Sequence, residues 1–259
     1  MMTASYKPSC YLATKGAMVE PTYRAFQQWD LAATLAENVR RIRAENPVGG
    51  PSVAWLKMFC KILTRRFGVA ETMRPLVELV QRGWDLGAWR PIMLWHISSS
   101  DPLLTDFIAN WLFDQRKQGV VLLKTEAARQ YLRTYLHAQL GDPGAWSDAN
   151  LTTSASGLLR TAVDFGLLIG RQVKQFQPYH LPEQSLMYLL HALLERLGST
   201  QKLILAADWR LFLMTPADVE EELLCLHQFR KLRFERAGSL VELTLPYSTA
   251  TDYARSAIP

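Results

Sequence analysis

Thr152, Thr153, Ser156 and Arg160 fall on one side of a single helical stretch that runs from Trp146 to Leu168. Together they offer short hydroxyl donors around one long cation, with no large apolar side chain among them. Such a face can approach a nucleic-acid groove closely, because Ser, Thr and Arg reach phosphates and base edges without steric cost. On the other side Leu151, Ala155, Leu158, Leu159, Ala162 and Val163 recur at helical spacing and predict a buried stripe. Ser147 suits the N-cap, and Gly166 suits the left-handed position that ends the helix. Arg160 and Asp164 stand four residues apart and predict a contact that orients the guanidinium. The run Ile169 to Phe176 that follows is β-prone and carries Arg171 and Lys174. A helix, a glycine stop and a basic strand together read as a winged helix-turn-helix. The competing expectation is a solvated amphipathic helix on an ordinary core.

A second basic cluster lies nearer the N-terminus. Ser52 predicts a cap for a helix whose inner face is Trp55, Phe59, Ile62 and Phe67. Its outer face holds Lys57, Lys61 and Arg65 at successive turns, with Arg66 beside them. Like charges four apart repel by a few tenths of a kcal/mol each. No acid lies between residues 53 and 70 to offset them, so the stripe is expected either to follow phosphates or to form a solvated face.

The overall balance leans the same way. The chain of 259 residues carries a net charge of +5 and a pI of about 9.1. Arginine outnumbers lysine about two to one, and its planar fork suits phosphate. At 49% hydrophobic and 20% charged residues, the composition is that of a folded protein long enough to bury a sizeable core. Cys10, Cys60 and Cys225 form no metal or disulfide pattern and predict reduced thiols in a cytoplasmic protein. The opening stretch MMTASYKPSCYLATKG lacks the continuous apolar core of a signal peptide, and no apolar run reaches membrane-spanning length.

Enzymatic signatures are missing. There is no GxxxxGK[ST] loop, no GxGxxG after a strand, no HExxH and no GxSxG. His96, His137, His180, His191 and His227 are scattered, and Cys225 with His227 two residues on has poor ligand spacing. His191 and Glu195 predict a surface pair. These absences predict no catalytic residue, no metal, no cofactor and no small-molecule substrate.

The elements that position the basic faces are mostly helices. Glu20-Pro21 opens one, and Asp30 is expected to cap the next, with Leu31, Leu35, Val39 and Ile42 inward. Asn46 to Pro51 is a break. Asp101-Pro102 starts a helix that is apolar over much of its surface. Val120 to Leu123 mark a boundary, and Thr125 is expected to cap a helix with Ala128, Tyr131, Leu132, Tyr135 and Leu136 inward. Beyond Pro178, an apolar helix spans about 183–197. Thr215-Pro216 opens another with acids first and Arg230-Lys231 last, an order that suits the helix dipole. Alternation from Leu232 to Leu245 around Arg236-Ala237-Gly238-Ser239 predicts a β-hairpin.

Three segments together resemble the BrxA family, a small component of bacterial BREX phage-defence systems. They are Glu45-Asn46-Pro47 running on to Arg65-Arg66-Phe67, then Pro102-Leu103-Leu104-Thr105-Asp106-Phe107, then Trp146-Ser147 through Asp164-Phe165-Gly166-Leu167-Leu168. Their order and spacing cover most of residues 20–170. The resemblance implies an all-helical protein with winged-helix character and no catalytic activity. It also implies DNA binding beside the system's methyltransferase and ATPases, which makes other BREX subunits candidate partners. The family has been likened to the antitermination protein NusB, which implies RNA instead. A scaffold that docks other defence subunits is a third reading.

The expectation is therefore a mainly α fold in three parts. Residues 1–119 form a helical N-terminal domain, 120–178 a winged helix-turn-helix-like domain, and 179–259 a C-terminal helical region with a β-hairpin. The expected partner is double-stranded DNA, contacted mainly through phosphates by Thr152, Thr153, Ser156, Arg160, Arg171, Lys174, Lys57, Lys61, Arg65 and Arg66.

Overall fold

Helices dominate the structure, a computed structural model that describes residues 13, 15–68, 70–141, 146–238 and 240–256. The chain divides into two compact units: Met1–Val19 with Ile97–Tyr179, and Glu20–His96 with His180–Pro259. The N-terminal helices thus share a unit with the C-terminal region, and the division near residue 97 differs from the expected segments 1–119, 120–178 and 179–259. Within the second unit, Ser185 Oγ donates to the Ala88 carbonyl at 2.6 Å, 97 positions away. Trp95 Nε1 donates to Asp208 at 2.7 Å. Bonds of this range leave no local trace in a sequence.

The second unit begins with α1 (Val19–Gln27), α2 (Leu35–Glu45), α3 (Val53–Arg66), α4 (Ala70–Gln81) and α5 (Leu86–Ser98). Its α2 is capped by Thr34 and not by Asp30. Thr34 Oγ1 accepts from Glu37 N–H at 3.2 Å, while Glu37 reaches back to Thr34 N–H at 2.8 Å. This reciprocal pair satisfies two orphan donors and outcompetes Asp30, which caps a tight turn by accepting from Ala32 N–H at 2.9 Å. Ile42 is buried as expected, but Leu31, Leu35 and Val39 are half-buried. In the break that follows, the Asn46 side chain clamps Gly50 by accepting its N–H and donating to its carbonyl. Gly50 also has to be glycine: a Cβ there lies 2.6 Å from the Trp55 ring. The core gathers Phe26, Phe59, Trp84, Trp89 and Trp209, all fully buried.

This unit continues with α10 (Glu183–Leu197), α11 (Thr200–Ile204), a 3-10 stretch (Ala207–Phe212), α12 (Pro216–Gln228) and α13 (Ala250–Ser256), with strands β4 (Arg233–Ala237) and β5 (Leu240–Thr244) before α13. Helix α12 opens at Thr215-Pro216 as the sequence predicts, and Thr215 and Asp218 close a reciprocal capping box there. β4 and β5 pair antiparallel from Arg233 opposite Thr244 to Ala237 opposite Leu240. The strands therefore extend through Arg236 and Ala237, which the alternation pattern assigns to the turn. His191 is also not a surface residue. It is buried on α10, with Nδ1 bonded to the Met187 carbonyl at 2.6 Å and its ring stacked on Tyr253 at 5.0 Å.

The first unit contains α6 (Pro102–Asp106), which runs into a π-helical stretch (Phe107–Leu112) and α7 (Phe113–Lys117). Asp101 caps it, accepting from Leu104 N–H at 3.1 Å. Strand β1 (Leu122–Leu123), α8 (Thr125–Leu140), α9 (Asp148–Asp164), β2 (Leu168–Ile169) and β3 (Lys174–Phe176) follow. Lys124, and not Thr125, is the cap residue of α8, and it makes no side-chain cap bond. Ala128, Leu132 and Leu136 are buried along its inner side, and Tyr131 donates to Asp106 at 2.7 Å. The three strands form one antiparallel sheet in the order β1-β3-β2. Leu122 pairs with Gln175, and Gln175 pairs on its other side with Ile169.

Candidate nucleic-acid interface

The exposed face of α9 follows from how this helix is built. Ser147 Oγ accepts from Asn150 N–H at 3.3 Å and fixes the start. At the end, Gly166 takes φ 78°. Gly166 N–H donates to Val163 and Leu167 N–H to Ala162, each at 2.9 Å. This is a Schellman closure, which only a residue free of a Cβ adopts without penalty. Between the two ends Leu151, Ala155, Leu158, Leu159 and Ala162 are buried, and Val163 is half-buried. Each fully buried leucine contributes about 2 kcal/mol. With that side committed to the core, Thr152, Thr153, Ser156 and Arg160 face outward, and all four are exposed.

Their chemistry is narrower than their types suggest. Thr152 Oγ1 donates to the Asp148 carbonyl at 2.9 Å and Thr153 Oγ1 to Ala149 at 2.8 Å. Both hydroxyl protons are thus held by the preceding turn, and only lone pairs face out. Ser156 and Arg160 are the donors this face retains.

The stretch Ile169 to Phe176 is a hairpin and not a single strand. Gly170 turns the chain at φ 103°, where a Cβ would sit 2.2 Å from the Val173 carbonyl oxygen. No other residue type fits that approach. Arg171 is consequently exposed on the turn. Lys174 folds back instead: its ammonium donates to the Gly170 carbonyl at 3.0 Å and to the Arg171 carbonyl. It braces the turn.

Helix α9 and this hairpin enclose a concavity of about 560 Å³. Of the residues that the sequence nominates, Ser156, Arg160, Arg171 and Lys174 all line it, together with Thr125, Asp164 and Gln172. Thr152 and Thr153 lie one to two turns earlier on the helix and do not. Arg160 and Arg171 have no acidic partner among the described residues, whereas Arg129 pairs with Glu126 and Arg133 with Asp148 in the same unit. The expected Arg160–Asp164 contact is absent. Asp164 Oδ2 instead accepts from Ala17 N–H at 2.9 Å. Nothing local in the sequence signals that bond, which joins residues 147 positions apart.

Lys57, Lys61 and Arg65 are exposed on α3, and Arg66 is half-buried. Leu56, Phe59, Cys60, Ile62 and Leu63 form its buried side. The stripe therefore exists as expected, but in the other unit from α9. Lys61, Arg65 and Arg66 each have an interacting neighbour. Among the described residues no three His, Cys, Asp or Glu side chains gather as a metal site. No described helix is long and apolar enough to cross a membrane.

The profile of the BrxA family matches residues 8–192. No curated protein matches the chain. The matched span takes in well over half of the sequence, including α9, the hairpin and all three segments that carry the resemblance. The chain belongs to the BrxA family, which is associated with BREX phage defence.

Proposed function

We propose that this chain binds double-stranded DNA without catalysing a reaction, as a cytoplasmic accessory factor working beside other BREX subunits. The observation that carries this reading is the groove between α9 and the β2–β3 hairpin, where Arg160 and Arg171 have no acidic partner among the described residues. The order strand, helix, helix, strand, turn, strand with sheet order β1-β3-β2 supports a winged helix-turn-helix. In that arrangement the second helix enters the major groove and the hairpin lies against the adjacent backbone. A phosphate strand passing between them meets Arg160 on one wall and Arg171 on the other. Duplex DNA suits this shape better than duplex RNA, whose deep and narrow major groove does not admit a helix.

The test is a side-by-side titration of duplex DNA, single-stranded DNA and RNA over a range of salt. Neutralising roughly four to seven phosphates gives a slope of log K against log salt of about −4 to −6 for duplex DNA. Sequence preference should be weak, since most contacts go to the backbone. Binding that ignores salt, or that favours RNA, overturns the proposal.

The α3 stripe gives a separate expectation. Changing Lys57, Lys61 and Arg65 together to Gln removes their mutual repulsion together with the interactions that Lys61 and Arg65 make with their neighbours. All three are exposed, so the melting temperature should move by no more than a degree or two. If the stripe also follows the DNA backbone, the slope becomes shallower by roughly two to three and affinity falls equally across sequences. Unchanged slope and affinity would assign the stripe to solvent.

A further inference from the structure

Asp164 stands where an acid weakens a phosphate site. It lines the same groove as Arg160, one helical turn further along α9. At that spacing a guanidinium and a carboxylate ordinarily close on each other. They do not here: Asp164 Oδ2 accepts instead from Ala17 N–H at 2.9 Å. The segment that supplies this donor is seated firmly. Gly16 and Ala17 are buried, and Gly16 lies so close that a Cβ there would stand 3.0 Å from Asp164 Oδ2 and 3.7 Å from Arg160 Cδ and Nε. Gly16 at φ 73° and Met18 at φ 55° are both left-handed. A methionine keeps that conformation only when its surroundings hold it. The bend they form aims the Ala17 N–H at the carboxylate.

We propose that Asp164 is a positioning residue: held by the Ala17 amide, it leaves Arg160 open, and released from that amide, it captures Arg160 and withdraws it from DNA. This rests on the reading of the groove as a DNA site. Residues 15–18 then act as a latch on the groove, through an acid that itself never touches DNA. The carboxylate has two stable engagements. In one it accepts from a neutral backbone donor and the guanidinium projects into the groove. In the other it forms an intrahelical ion pair, and Arg160 is lost as a phosphate ligand. A partner or modification that lifts residues 15–18 from α9 thereby lowers DNA affinity without touching the DNA face.

The test combines Ala17→Pro, which deletes the donor, with Asp164→Asn and Arg160→Ala. Duplex affinity is read by fluorescence anisotropy and fold by thermal melting. Ala17→Pro should weaken binding by about two- to fivefold, the scale of one i,i+4 ion pair strengthened by partial burial. Asp164→Asn should gain more affinity in the Ala17→Pro background than in the parent protein, by the factor that was lost. With Arg160→Ala in place, Ala17→Pro should change nothing. A loss that survives both partner changes overturns the latch. Should Ala17→Pro not fold, Gly16→Ala displaces the same donor by steric push, with the same pattern expected. A readout without DNA separates the two ideas: exchange of the Arg160 Nε proton, followed by NMR, should slow in Ala17→Pro and recover with Asp164→Asn. If it slows while affinity holds, the DNA reading of Arg160 is at fault; if it never slows, the latch is.

Discussion

Alanine at both Arg160 and Arg171 should weaken duplex DNA binding by roughly 10- to 100-fold and make the salt slope shallower by about two, one phosphate contact for each guanidinium. The effect is expected to be large because these two cations line the same groove and neither is engaged in an ion pair among the described residues. The groove's one acid, Asp164, is held by the Ala17 amide. Arg133, paired with Asp148, is not in that position. Stability should hardly move. Both side chains are exposed, so each change should stay within about 0.5 kcal/mol, or a degree or two in melting temperature. Changing Thr152 and Thr153 to Ala is the matched control. Their hydroxyl protons already serve the preceding turn of the helix, so the pair should cost far less affinity than either arginine. A double arginine variant that melts many degrees lower would move these residues into the structural framework, and one that binds as tightly as the parent would falsify the groove as the DNA site.

What the sequence discloses about this region is the helix, and what it hides is the geometry around it. Ser147, the apolar stripe and Gly166 are all local signals, so α9 is legible from end to end. The β-prone residues 169–176 conceal a turn, because only Gly170 marks it and a lone glycine in a strand pattern is a weak sign. That Lys174 braces the turn depends on carbonyls oriented by the turn itself. Thr34 is distinguishable from Asp30 in principle, since the Thr-x-x-Glu spacing of a capping box is present in the sequence. His191 is ambiguous on spacing alone. With Leu189, Leu190 and Leu193 close by, its burial depends on Tyr253, which is remote in the chain. The Asp164–Ala17 and Ser185–Ala88 bonds have no sequence signature. They set which acids and which helices meet.

Two histidines of the second unit, His191 buried and His96 half-buried with its Nε2 shielded from solvent, lead to the second large expectation, a loss of stability in mild acid. On α5, burial pushes His96 down to about 4. On α10, burial also lowers His191, against a smaller opposing pull from its bond to the Met187 carbonyl. In the unfolded chain both titrate near 6.5. Between about pH 4 and 6.5 the unfolded state therefore binds more protons than the folded state, and stability falls as pH falls through that window. It is fully present above about 6.5. For His96 the loss reaches roughly 2 kcal/mol by pH 5, at about 1.4 kcal/mol per pH unit. This corresponds to a melting temperature lower by about 4–8 °C for a chain of this size, and His191 adds in the same direction. The carboxylates held below their ordinary range, Glu37, Asp148 and Glu235, have the same sign but act in a different window. Their contribution is lost only below about pH 4.5, so it does not blur the histidine step. Melting curves at pH 7.5, 6.5, 5.5 and 5 should show the drop in the parent protein. In a His96→Gln, His191→Gln double variant, which starts less stable, the dependence between pH 7 and 5 should flatten. A parent whose melting temperature holds steady down to pH 5, or a double variant that keeps the full slope, would place the acid response elsewhere in the chain.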